Sequence, residues 1–180
     1  CECKAEIYSF QKILDFPLLF AENINNDIIT LKELLKLYFQ TENIDFESKC
    51  DACHKIYSHK KEIKISRPPE ILILSLQRID EKQEKLRYKV EFPQILDIYP
   101  YVDHDCGFDR ECKYNLFGIV NHEGRIDFGH YFSFVKIGNK NWFKFNDSLV
   151  SKIDKINDCS EDVYALFYVK QKYNYSRFFN

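Results

Sequence analysis

Four segments, Tyr114–His122, His130–Ile137, Asn141–Phe145 and Val163–Lys170, crowd aromatic and β-branched residues between short polar breaks. That succession commits the last third of the chain to a β-sheet. The sequence GNKN at 138–141 is a tight-turn signal, so the second and third segments read as a hairpin. Twelve Tyr and sixteen Phe against one Trp and no Met suit a sheet-rich body.

Upstream the period changes once. In NNDIITLKELLKLYFQTENI, Leu31, Leu34, Leu35 and Tyr38 recur at helical spacing, with Asp27 or Thr30 placed to cap the start. The segment from Ala5 to Leu19 alternates loosely around Pro17 and suits strands. KIYSHKKEIKIS, residues 55–66, reads as one or two polar, exposed strands. EILILSL behind the Pro68–Pro69 pair reads as a buried strand. KVEFPQILDIYPYV is extended and broken at Pro93, and DHDCGFDRECK, residues 103–113, is a polar loop. A chain of 180 residues suffices for one domain with a sizeable core. The expected class is α+β: a mostly antiparallel β body with one main helix.

Charge narrows the function. The formal net charge is −2 and the basic residues alternate with acids, as in DEKQEKLRYK, so the chain lacks the basic field of a nucleic-acid binder. The longest apolar run, ILIL at 71–74, is far short of a membrane span. The start CECKAEIYSF carries no signal-peptide pattern and no initiator Met, which suggests a piece of something longer. Seven cysteines, four of them in two tight pairs, argue against a disulfide scaffold and for metal ligation in a reducing compartment, cytoplasm or nucleus. Cys1-x-Cys3 and Cys50-x-x-Cys53 can together offer four thiolates to a tetrahedral Zn²⁺, a closed shell and therefore a structural one, although C-x-C is tighter than the usual C-x-x-C and leaves a cysteine upstream of Cys1 open as the partner of Cys3. His54 and His59 near the second pair read as exposed strand positions.

The hairpin holds the chemistry. If the loop is 138–140, Ile137 faces Asn141, Asn146 lies opposite Phe132, and His130 sits diagonally across on the same face. An amide oxygen there can accept from the imidazole N–H and fix its tautomer. Asp147 then points away or lies just past the strand end. A two-residue loop exchanges the two roles, so spacing leaves both Asn146 and Asp147 open as the orienting group. Gly129 leaves room for close approach beside the histidine, whereas His122 and His104 have no partner at a predictable distance.

The motifs PPEILILSLQRI, KVEFPQILDI, YNLFGIVNHEG, GHYFSFVK, WFKFNDSLV and VYALFYVK occur in an order that resembles the ubiquitin-specific proteases, a family of papain-like cysteine deubiquitinases. The resemblance runs from Cys3 to about Val169. It implies a hand-like catalytic domain in which residues 1–66 form zinc-tipped fingers with the helix near 30–40, and 67–180 form the palm. It also implies ubiquitin or ubiquitinated proteins as partners, a thiol protease activity, and Cys1, Cys3, Cys50 and Cys53 as the zinc ligands. By resemblance His130 is the catalytic base, Asn146 its orienter, Asp147 an auxiliary group near the oxyanion or the ubiquitin tail, and Gly129 and Tyr131 substrate contacts.

Two departures stand out. The family's LKRF is LQRI at 76–79, a change at a strand end that bears on packing more than on chemistry. The Asn-x-x-x-x-Cys box that opens a helix is absent, and the resemblance places it upstream of Cys1. Cys106 and Cys112 occupy the polar loop, and Cys159 precedes an acidic run that raises a thiol pKa. The expectation is a general base whose nucleophile lies upstream, so that residues 1–180 alone are inactive. The competing expectation is a ubiquitin-binding scaffold that keeps the fold without the nucleophile.

Overall fold

The structure is a computed structural model that describes residues 5–21, 27–106, 112–138 and 141–171. Cys1 and Cys3 lie outside the described residues. In chain order the elements are β1 (Phe16–Leu18), β2 (Ile28–Thr30), α1 (Leu31–Tyr38), β3 (Glu42–Lys49), β4 (Ile56–Lys61), β5 (Ile71–Leu76), β6 (Lys89–Glu91) and β7 (Ile95–Asp97). Then come two single 3₁₀ turns, Tyr99–Tyr101 and His104–Cys106, followed by β8 (Lys113–Gly124), β9 (Gly129–Ile137), β10 (Asn141–Asn146), β11 (Leu149–Ile153), β12 (Cys159–Ser160) and β13 (Val163–Lys170).

The main sheet has eight strands in the order β1-β5-β13-β8-β9-β10-β11, with β7 added to β8. All its pairings are antiparallel except β1 with β5. The expected segments from Tyr114 onward fall on β8, β9, β10 and β13. A fifth strand, β11, extends the hairpin to the sheet edge. The segment from Ala5 to Leu19 contributes only β1, and a short sheet of β12-β6-β2 holds a second parallel pair, β2 with β6.

The central strands alternate because one face of each meets the core. In β5, Leu72, Leu74 and Leu76 are buried while Ile71, Ile73 and Ser75 are half-buried. Leu166 and Tyr168 of β13, Leu116 and Ile119 of β8, and Trp142 of β10 join the same cluster. Each such side chain contributes about 1.5–3 kcal/mol on burial. The buried Tyr168 hydroxyl donates to Pro93 O at 2.7 Å, and that of Tyr114 donates to Pro69 O, so neither phenol is left unsatisfied.

α1 covers one flank of this core with Leu31, Leu34 and Leu35. Thr30, not Asp27, is its cap: Thr30 Oγ1 accepts from the Glu33 N–H at 3.2 Å, and Glu33 Oε2 accepts from the Thr30 N–H at 2.7 Å. The Thr30 N–H and then the Thr30 hydroxyl, both donating to Glu33 Oε2 at 2.7 Å, hold the exposed Glu33 carboxyl below the usual carboxylate range. Among the described residues up to 66, β1 joins the main sheet and α1 its core, β2 joins the short sheet with β6, and β3 and β4 pair with each other as a separate ribbon. Among the described residues no helix is long and apolar enough to cross a membrane.

Candidate active site

The β9–β10 hairpin has Ile137 paired with Asn141 and Phe145 with Ser133. Continuing that register puts Asn146 opposite Phe132 and diagonal to His130 on one face of the sheet. The side chains meet: His130 Nε2 is hydrogen-bonded to Asn146 Oδ1. An amide oxygen can only accept, so Nε2 carries the proton and Nδ1 keeps its lone pair. In that tautomer the basic nitrogen is turned away from Asn146.

Asn146 pairs with Leu149, so Asp147 and Ser148 form a two-residue turn between β10 and β11. Asp147 takes the left-handed conformation, φ 52°, which Asp tolerates better than most residues with a Cβ. Its Oδ2 lies 4.0 Å from His130 Nε2, and the two side chains are 81% and 45% exposed. At that distance and exposure the ion pair is worth little, and the hydrogen bond to Asn146 is the shorter contact of the ring.

β9 is held in place from the other side by β8, with Glu123 opposite His130, His122 opposite Tyr131, and Gly124 opposite Gly129. A Cβ on Gly129 would sit 1.8 Å from His122 Nε2. The room beside Gly129 is therefore filled by the His122 ring, which also lies 4.5 Å from the Tyr131 ring and 6.2 Å from that of Tyr164. Burial, and then the nearby Lys85 cation, push the His122 pKa down. Sequence reasoning passed over His122. The signal that finds it is the pair of glycines bracketing GRIDFG, since pairing Gly124 with Gly129 places His122 across from Tyr131. Gly129→Ala is expected to cost about 1–3 kcal/mol, read as a shift in the denaturant midpoint, because the rigid His122 ring must give way.

Among the described residues, no cysteine lies on β8, β9, β10 or β11. Cys112 is buried just before β8, and β8 runs on to Gly124. At about 3.3 Å per residue that puts it roughly 35–40 Å from the end that pairs with His130. Cys159 is on β12 against Glu91.

Cys50 and Cys53 lie between β3 and β4 on a tight turn, in which the Cys50 N–H donates to Lys55 O at 2.9 Å and the His54 N–H donates to Cys50 O at 2.8 Å. His54 takes φ 59° to close it. Two thiols on one turn fit half of a tetrahedral thiolate site. Among the described residues no group of three or more His, Cys, Asp or Glu side chains gathers as a complete set of metal ligands.

Residues 20–168 match the family model described as "Ubiquitin carboxyl-terminal hydrolase". Ubiquitin carboxyl-terminal hydrolase 16 of Arabidopsis thaliana is 32% identical over 176 residues, 94% of this chain and 17% of that protein. Ubiquitin carboxyl-terminal hydrolase 8 of Saccharomyces cerevisiae is 33% identical over 156 residues, 80% of this chain and 33% of that protein. The SAGA DUB module of Ubp8, Sgf11, Sus1 and Sgf73 bound to monoubiquitin aligns with a TM-score of 0.69 at 31% identity, covering 90% of this chain and 36% of the matched one. The chain thus spans about a sixth to a third of the length of these relatives. With the family model, the sequence identities and the structural alignment in agreement, this chain belongs to the ubiquitin carboxyl-terminal hydrolase family and corresponds to the C-terminal part of a ubiquitin-specific protease catalytic domain.

Proposed function

We propose that this chain supplies the general base and its orienter to a cysteine-type deubiquitinase that cleaves the bond after the C-terminal glycine of ubiquitin. The observation that carries the reading is the His130–Asn146 hydrogen bond across the hairpin, which leaves Nδ1 as a proton acceptor. A thiol brought to Nδ1 gives up its proton to the ring, and the thiolate–imidazolium pair is the resting nucleophile. The thiolate attacks the (iso)peptide carbonyl, the Nδ1–H protonates the leaving lysine amine, and a thioester remains. His130 then deprotonates a water that hydrolyses the thioester, and the thiol is regenerated. A neutral Asn146 suffices because a thiol ionises more readily than a serine hydroxyl. Asp147, on its turn, serves the oxyanion or the incoming ubiquitin tail.

The position of the described cysteines supports a nucleophile delivered from outside residues 1–180. Exposed Phe128, Tyr131, Leu149 and Val150, which flank His130 and Asn146 in sequence, offer an apolar rim for the substrate. In the same reading the β3–β4 ribbon forms the fingers and the main sheet the palm. Cys50 and Cys53, with Cys1 and Cys3, would hold a structural Zn²⁺ that ties the ribbon tip together. Metal analysis is expected to give about one zinc per chain, lost together with thermal stability in a Cys50→Ser, Cys53→Ser variant. A variant that keeps both sinks the finger assignment.

Hydrolysis of a ubiquitin C-terminal amide by the full-length protein tests the orienter. Asn146→Ala should lower kcat by about 10- to 100-fold with little change in KM, part of the usual general-base contribution. Asp147→Ala should cost less. The reverse ranking would make Asp147 the orienting group.

A further inference from the structure

β13 begins at Val163, opposite Asn121, but β8 runs on for three more residues to Gly124. The His122 N–H still reaches Asp162 O, at 2.8 Å, on the β13 side of the strand. Alternate residues of a strand address the same neighbour, so the carbonyls of His122 and Gly124 also face that side, beyond the end of β13. The Nζ of Lys85 reaches both: it donates to His122 O, and to Gly124 O at 3.2 Å. Asp162 Oδ1 lies 3.8 Å from the same ammonium, and the Lys85 side chain is only 6% exposed.

Lys85 is delivered by a stiff loop. Asp80 Oδ1 accepts from the Lys82 and Glu84 N–H groups at 2.9 and 2.8 Å, and Ile79 bridges to Lys85. The Leu86 N–H donates to Arg78 O at 2.8 Å, closing the loop at its base. Glu123, between the two clamped carbonyls, turns its own N–H and C=O toward β9 and pairs with His130.

We propose that Lys85 is a positioning residue for His130: its ammonium takes the place of the missing strand, keeps His122–Gly124 in register with β9, and thereby fixes the template against which His130 is held. Burial lowers the Lys85 pKa, so holding a cation there is costly, and the two carbonyls and Asp162 offset that cost. The geometric effect stands without any assumption about catalysis; only its consequence for turnover rests on the hydrolase reading.

Backbone hydrogen exchange and ring ¹⁵N shifts of His130, both measured on the full chain, test the clamp. In Lys85→Met the amides of Glu123 and His130 should exchange about tenfold faster relative to those of Leu74 and Leu166, the equivalent of one lost bond to a charged donor. The His130 ring shifts should move toward those of a free imidazole. Leu34→Ala, a core truncation in α1, should leave the ring shifts and that exchange ratio unchanged. Wild-type ratio and shifts in Lys85→Met would overturn the proposal, and so would a rise uniform over all four amides. Should Lys85→Met not fold, Lys85→Gln carries the same expectation and the same contrary result. If the wild-type protein lacks hydrolase activity while Lys85→Met still shows the local loosening, the hydrolase reading is defeated and the clamp stands.

Discussion

Replacing His130 with glutamine is expected to lower kcat of the full-length protein on a ubiquitin C-terminal amide by about 10³-fold or more, with KM within a few-fold of wild type. Glutamine retains polarity and rough size, so ubiquitin binding on the exposed rim should persist. What disappears is the nitrogen that, in the proposed mechanism, accepts the thiol proton and later protonates the amine. His130 is the one side chain on this hairpin that Asn146 holds with a lone pair free at Nδ1. A variant with kcat within tenfold of wild type would move the base elsewhere.

The second large effect falls on stability. Arg78 is 1% exposed, yet its guanidinium reaches four backbone carbonyls: Nε donates to Val163 O at 2.6 Å, Nη1 to Leu86 O and Tyr88 O at 3.0 and 2.9 Å, and Nη2 to Ser160 O at 3.5 Å. Its carbon Cζ stands 5.3 Å from the centre of the Phe20 ring. Burial lowers its pKa to about 10, so it stays charged at neutral pH. One side chain therefore joins the end of β5 to the start of β13, to β12 and to the loop that carries Lys85. Arg78→Met leaves those carbonyls without donors and should cost about 3–5 kcal/mol, a large share of the stability of an ordinary domain. Arg78→Lys should recover little, because a point charge cannot span carbonyls that the planar fork spans. The measurement is the denaturant midpoint at unchanged m-value, and a loss below about 1 kcal/mol would contradict the account.

Arg78 also shows what a sequence can and cannot say. LQRI stood out for its departures from LKRF, yet the retained arginine carries the structure, while Ile79 is half-exposed. β5, β8 and β13 were legible because their apolar residues declare a buried face, and β9 and β10 because aromatic and β-branched residues flank a turn signal. β11, LVSKI, is an edge strand with exposed Leu149, Val150, Ser151 and Lys152, and so lacks that signal. β3, ENIDFESK, is nearly all polar and is defined by its partner β4. The parallel pairing of β1 with β5 joins three-residue stretches about 58 positions apart, which no local pattern encodes. At the site, turn length sets the register, and with it that Asn146 shares a face with His130. The crowding of His122 against Gly129 and the reach of Lys85 depend on contacts between separate loops, and only the folded chain reveals them.

The central claim is that the hairpin is the base-and-orienter half of a thiol protease site whose nucleophile lies outside residues 1–180. Full-length protein should be treated with ubiquitin carrying a C-terminal electrophile, and the adduct mapped by peptide mass. The account predicts one adduct, on a cysteine outside residues 1–180, formed by wild type and almost abolished by His130→Gln. An adduct on Cys106, Cys112 or Cys159, or no adduct with a protein that still binds ubiquitin, would contradict it.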